Sequence, residues 1–270
     1  MKIASELFKS KYIFSFGLIS ARLLSFFSFN KSTNDVPLDA LKGLSDNGFF
    51  VIENFLSKSD CEKLINIFDE SESKATVVGS DRRIFGIENL SYDHKLIFSD
   101  SKVLFDIGEA HLNKKQILTT TLAAKLYPSN GADGSGGGWH RDSMLPQFKA
   151  ICYLTDVELE NGPFEYIPES HKLFNKIKYE LRSKIRKVAN NPRYSEQQIE
   201  EYCKLFKTGK HTFCAKRGTV ILCNTSGLHR GSPMDKGLRY AVTNYYKSLS
   251  LISKSKSSSV YTLINKEDKK

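Results

Sequence analysis

Between residues 116 and 246 the chain is a succession of short runs rich in β-branched and aromatic residues, each cut off by a turn signal, and this most narrows what it can fold into. Residues 116–127 stop at Pro128, and further runs cover 148–154, 164–167, 218–223 and 238–246. The links between them carry Asn161, Gly162 and Pro163, and then Gly231, Ser232 and Pro233, residue types that set tight turns and end strands. Many short strands joined in this way predict a mainly β protein of the jelly-roll kind with flanking helices.

Helical patterns frame the strands. Residues 36–43 read as a short helix closed by Gly43, and 48–56 as an opening strand. Ser59 and Glu62 form a capping-box pattern for a helix through Asp69, with Leu64, Ile67 and Phe68 on one face. A further helix is expected over 102–112. Residues 173–187 and 195–206 are strongly helical in pattern and lie between two strands, which predicts a helical insertion around 172–206 at the barrel mouth. The chain divides into an N-terminal extension (1–34), a β domain (35–250) and a lysine-rich tail (251–270).

Within this frame, His140, Arg141 and Asp142 carry the chemistry. In an extended segment, residues i and i+2 project from the same face, so this imidazole and carboxylate can grip one ion. His229 lies between the strand ending at Cys223 and the one starting at Leu238, so it is the candidate third ligand. Two histidines and one carboxylate on one face of an octahedral ion leave three positions open, the arrangement of non-haem Fe(II) oxygenases. Arg239, ten residues beyond His229, offers a guanidinium that can hold the far carboxylate of an oxo acid through two parallel hydrogen bonds.

At these residues the sequence resembles the phytanoyl-CoA dioxygenase family. The resemblance rests on Trp139, His140, Arg141 and Asp142; on the Asn161, Gly162 and Pro163 turn; on Pro168, Glu169, Ser170 and His171; and on His229 and Arg239. It runs from about residue 41 to about residue 246. What it implies is a double-stranded β-helix (jelly roll, cupin-like), Fe(II) at His140, Asp142 and His229, and 2-oxoglutarate held by the iron and Arg239. Reaction with O2 would convert 2-oxoglutarate to succinate and CO2 and hydroxylate a small organic substrate. Related iron halogenases replace the carboxylate with a small residue, so Asp142 argues against halogenation. Family members often have serine two residues after the distal histidine, where this chain has Gly231 followed by Ser232. Ser232, and Thr243 on the same face as Arg239, are therefore candidate cosubstrate contacts, and Lys125 and Arg83 are further basic candidates.

Charge and cysteines bear on partners. The formal charge is +10, and much of it lies between Lys172 and Arg193, which would suit an anionic small-molecule substrate. No recognised nucleic-acid motif is present. The glycine-rich run from Gly131 to Gly138 lacks the lysine of a phosphate-binding loop and reads as a flexible loop at the site entrance. Five cysteines without a paired Cys-x-x-Cys spacing fit a reducing, cytoplasmic setting. In the extension, Lys2, Lys9 and Lys11 precede an aromatic-rich stretch broken by Arg22. It reads as an amphipathic helix packed on the domain, with peripheral membrane contact as the alternative. The other class of function open to such a chain is a non-catalytic or differently metallated jelly-roll metal-binding protein.

Overall fold

Strands β1 (Phe49–Ile52), β2 (Thr76–Val78), β3 (Asp81–Phe85), β4 (Gln116–Leu126), β6 (Phe148–Tyr153), β10 (Val220–Asn224) and β12 (Arg239–Ser248) form one sheet. Their order is β1-β10-β6-β12-β4-β3-β2. Facing it is a smaller sheet of β5 (Trp139–His140), β7 (Phe164–Tyr166), β8 (Arg193–Tyr194), β9 (His211–Phe213) and β11 (His229–Gly231), in the order β8-β5-β11-β7-β9. Every strand pairing is antiparallel. The computed structural model describes residues 36–128, 134–182 and 193–248. The expected N-terminal helix, the lysine-rich tail and residues 183–187 of the expected helix lie outside the described residues.

Period-two alternation places the side chains. Along β12 the odd positions Arg239, Ala241, Thr243 and Tyr245 share one face, and their partners Tyr153, Ile151 and Lys149 on β6 share it with them. This inner face and the small sheet enclose an apolar cluster of Tyr153, Phe164, Tyr166, Phe213, Ile221 and Cys223. The even positions Tyr240, Val242 and Tyr246 face the other way, into the largest core. There they meet helices α1 (Leu38–Asp46), α2 (Lys58–Glu70) and α3 (Lys102–Leu112). The outer face of the small sheet is covered by α4 (Leu173–Arg182) and α5 (Glu196–Phe206), through Trp139, Tyr179, Tyr194, Ile199 and Tyr202. A jelly roll thus sits between two layers of helix, and its interior is the space between the sheets.

Several local expectations shift. The first helix runs past Gly43, which packs so closely that a β-carbon there would lie 2.9 Å from Phe50 Cδ2. It ends instead at Asp46, and the chain turns away at Gly48, whose φ of 91° only glycine adopts easily. The cap of α2 is Ser57, whose hydroxyl accepts from the Asp60 amide at 3.1 Å, rather than Ser59. Strands β2, β3, β8 and β9 are too short, or too polar, for the alternation pattern to mark them.

Candidate metal centre

β5 and β11 lie side by side, with His140 directly opposite His229. Their rings are 4.4 Å apart between centroids. Asp142 lies just past the end of β5, where its amide donates to the Thr225 carbonyl at 3.0 Å. One ligand atom from each of His140, Asp142 and His229 falls within 4.8 Å of the others. His140 Nε2 is 3.6 Å from Asp142 Oδ1, and His229 Nε2 is 3.8 Å from Oδ2. The intervening Arg141 points the opposite way and is buried. It donates to the carbonyls of Ser170 at 2.7 Å and Ser226 at 2.5 Å, and to the Tyr194 hydroxyl at 3.1 Å, which fixes the segment from behind.

Both histidines are oriented by their own loops. His140 Nδ1 is 2.8 Å from the Gly138 carbonyl, and His229 Nδ1 is 3.0 Å from the Gly227 carbonyl. A carbonyl only accepts, so each Nδ1 carries a proton and Nε2 is the ring nitrogen turned to the shared point. Burial lowers the His229 ring to about 3, which keeps it neutral. For Asp142 burial acts to raise the carboxyl, but the charge of Lys149 and then the bond with His140 outweigh it and hold the group below the usual carboxylate range. Two imidazoles and one carboxylate, all aimed at one point, are a donor set that fits a divalent transition metal.

Arg239 opens β12 on the inward face and is 6% exposed. Its Nη1 donates weakly to the Asn161 carbonyl at 3.4 Å, and its guanidinium stands 6.0 Å from the Tyr153 ring centre. Nε is buried with no hydrogen-bond partner. A buried guanidinium with an idle donor, held on the inner face of the barrel, fits an incoming carboxylate. Burial lowers its pKa, with Tyr153 and Asp81 acting against that.

The other sequence candidates fare differently. Arg83 and Ser232 line one cleft with Arg239, together with Asp81 and Ser135. Arg83 is paired with Asp81 at 2.6 Å, while the Ser232 hydroxyl donates to the Pro163 carbonyl at 2.9 Å. Thr243 shares the face of Arg239, between Leu122 and Ile151. Lys125 does not join them. On β4 it stands opposite Tyr240, on the outer face, and its ammonium binds Asp69 and Glu72, each at 2.9 Å. Strand alternation rules it out as a contact inside the barrel. Gly231 also has a physical reason: a β-carbon there would come 3.0 Å from the Ser135 carbonyl and 3.1 Å from its Cβ. Ser135, within the glycine-rich run, occupies the space a serine would need.

Two parts of the basic segment also proved structural. Lys176 is buried and donates to the Met144 carbonyl and the Ser226 hydroxyl, each at 2.8 Å, and Lys172 pairs with Glu169 at 3.0 Å. What the sequence reading missed is Lys149, whose ammonium lies 2.6 Å from Asp142 Oδ2. The signal was a lone lysine at an inward position of an otherwise apolar strand.

A double-stranded β-helix bearing two histidines and a carboxylate at neighbouring strand ends is the frame of a mononuclear metal protein with open coordination positions. The chain belongs to the phytanoyl-CoA dioxygenase family, whose model matches residues 44–235. Its fold is shared by EctD from S. alaskensis, solved with 2-oxoglutarate and 5-hydroxyectoine (18% identity, 82% of this chain and 80% of that one, TM-score 0.59). It is shared too by HygX from Streptomyces hygroscopicus, solved with nickel, 2-oxoglutarate and hygromycin B (18% identity, 79% and 88%, TM-score 0.54). The α-ketoglutarate-dependent carbocyclase SnoK of nogalamycin biosynthesis is similar as well (14% identity, 81% and 87%, TM-score 0.58). No curated protein matches the sequence significantly. Among the described residues, no helix is long and apolar enough to cross a membrane.

Proposed function

We propose that this protein is an Fe(II)- and 2-oxoglutarate-dependent hydroxylase of a small organic molecule. The observation that carries the reading is the convergence of two loop-locked Nε2 atoms and the Asp142 carboxylate within 4.8 Å, in a chain of this family. His140, Asp142 and His229 would hold the iron, and Arg239 the far carboxylate of 2-oxoglutarate. The bound iron supplies activation of O2, coupled to decarboxylation of 2-oxoglutarate and to oxidation of a C–H bond.

The chain's own residues set the conditions for that chemistry. The Nδ1 contacts to Gly138 and Gly227 hold both imidazoles with Nε2 turned towards the ion. Leu122, Ala124, Ile151 and Tyr153 make the inner wall beside Arg239 and Thr243 apolar, which excludes water and strengthens the ionic grip on the cosubstrate. The same wall gives an apolar substrate body a place to pack. Placement of the chain in the cytoplasm, and an anionic group on the substrate, are part of this proposal.

The test is succinate release from 2-oxoglutarate with Fe(II) and O2, with and without a panel of small substrates. Turnover is expected in the unaltered protein and none in His140→Ala. A protein that binds metal but gives no succinate under any of these conditions would favour a non-catalytic metal-binding role.

A further inference from the structure

We propose that Lys149 is a positioning residue that ties up one oxygen of Asp142, so that the carboxylate ligates the metal through its other oxygen alone and one coordination position stays free for cosubstrate or O2. This rests on the triad being the metal site of the proposed function.

The geometry is specific. Lys149 sits on β6 with its side chain inside the barrel, opposite Cys223 on one side and Tyr245 on the other. Its ammonium lies 2.6 Å from Asp142 Oδ2 and 4.0 Å from the centre of the Tyr245 ring. The residue is 7% exposed, so water offers the ammonium little. Among the described residues, Asp142 is its one carboxylate partner. A buried ammonium stripped of its counter-ion is strongly destabilising, so the contact with Oδ2 has to persist when the triad takes up an ion. Oδ1, the oxygen nearer His140 Nε2, is the one left over for ligation.

Counting positions shows the consequence. Two imidazoles and a one-oxygen carboxylate fill three of six positions in an octahedral site. A chelating oxo acid takes two more and leaves one for O2. A carboxylate gripping through both oxygens would remove that last position, or force the oxo acid to bind through a single atom. The site also keeps a fixed positive charge beside the ion, which favours an anionic cosubstrate. Partners that orient a ligand in this way are worth roughly 10- to 100-fold in metal-site function.

Cobalt(II) serves as the probe because its visible absorption changes with coordination number, and it allows 2-oxoglutarate binding to be measured without turnover. For Lys149→Met, the affinity of the cobalt-loaded protein for 2-oxoglutarate is expected to fall roughly 10- to 100-fold, with an altered spectrum both before and after cosubstrate addition. Lys149→Arg, which keeps a charged donor, should recover part of both. If the methionine variant does not fold, Lys149→Gln, neutral and shorter, takes its place with the same expectation. A neutral variant with unaltered 2-oxoglutarate affinity and spectrum would overturn the proposal. So would one that merely binds cobalt more tightly and takes 2-oxoglutarate as before, since the ammonium would then only compete with the ion. Failure of the unaltered protein to take up cobalt or 2-oxoglutarate would instead overturn the functional reading, and this inference with it.

Discussion

At the metal end of the site both imidazoles are tied through Nδ1 to carbonyls two residues away, and Arg141 anchors the segment between His140 and Asp142 from behind. At the far end Arg239 is buried with an idle Nε and a weak bond to the Asn161 carbonyl, beside a cleft where Arg83, Asp81 and Ser135 are already paired with one another. The first end is set before anything binds, because its geometry comes from backbone pairing of two strands. The second is completed by what binds, because its charge lacks a full set of partners.

The sharpest way to break this contrast is to remove a ligand. His229→Ala should lower Fe(II) or Mn(II) affinity by more than the roughly 100-fold attributed to outer contacts of a metal site, read by calorimetric titration without cosubstrate. Retained affinity would show that the triad is not the site. Arg239→Ala should leave that affinity alone and weaken 2-oxoglutarate binding roughly 10- to 100-fold, as befits loss of charge-assisted hydrogen bonds. Arg239→Lys should recover only part, since an ammonium cannot pair with two carboxylate oxygens in parallel.

A smaller effect separates the scaffold from the site. His94 and His171 are each pushed down to about 4 by burial, against about 6.5 when unfolded. Between those values the unfolded chain binds more protons than the folded one, so stability is present above pH 6.5 and is lost as pH falls towards 4. The slope is about 1.4 kcal/mol per pH unit for each histidine, measurable by denaturant unfolding, and His94→Gln should reduce it. An unchanged midpoint between pH 6.5 and 4 would show that these rings are already protonated or exposed. The smallest effect concerns Lys125. Its replacement by Ala should cost about 1 kcal/mol of stability through the partly exposed pairs with Asp69 and Glu72 and leave 2-oxoglutarate affinity untouched. A cosubstrate defect there would put the strand register in doubt.

The two ends also differ in how well the sequence announced them. The triad was legible because His140 and Asp142 are two residues apart in the chain and His229 follows a readable strand, so strand periodicity and order were enough. Gly162 and Pro163, and the long alternating strands β4 and β12, made the jelly roll legible for the same reason. The proposed cosubstrate end was read less well, since its parts come from β3, the glycine-rich run, and β12, and nothing local tells which face of β4 turns inward. Lys125 was misread on that account, while Arg83 and Arg239 fell on the inner side. Lys149 was missed because its meaning lies in a contact with Asp142 across the irregular chain of residues 143–147, which no pattern encodes.

The most direct test of the account is an anaerobic calorimetric titration of 2-oxoglutarate into the protein with and without Fe(II). If the triad and Arg239 form one site, affinity will be at least about tenfold higher with the metal and will fall in both Arg239→Ala and His229→Ala. Binding that is equally tight with and without Fe(II), and indifferent to either substitution, would contradict it.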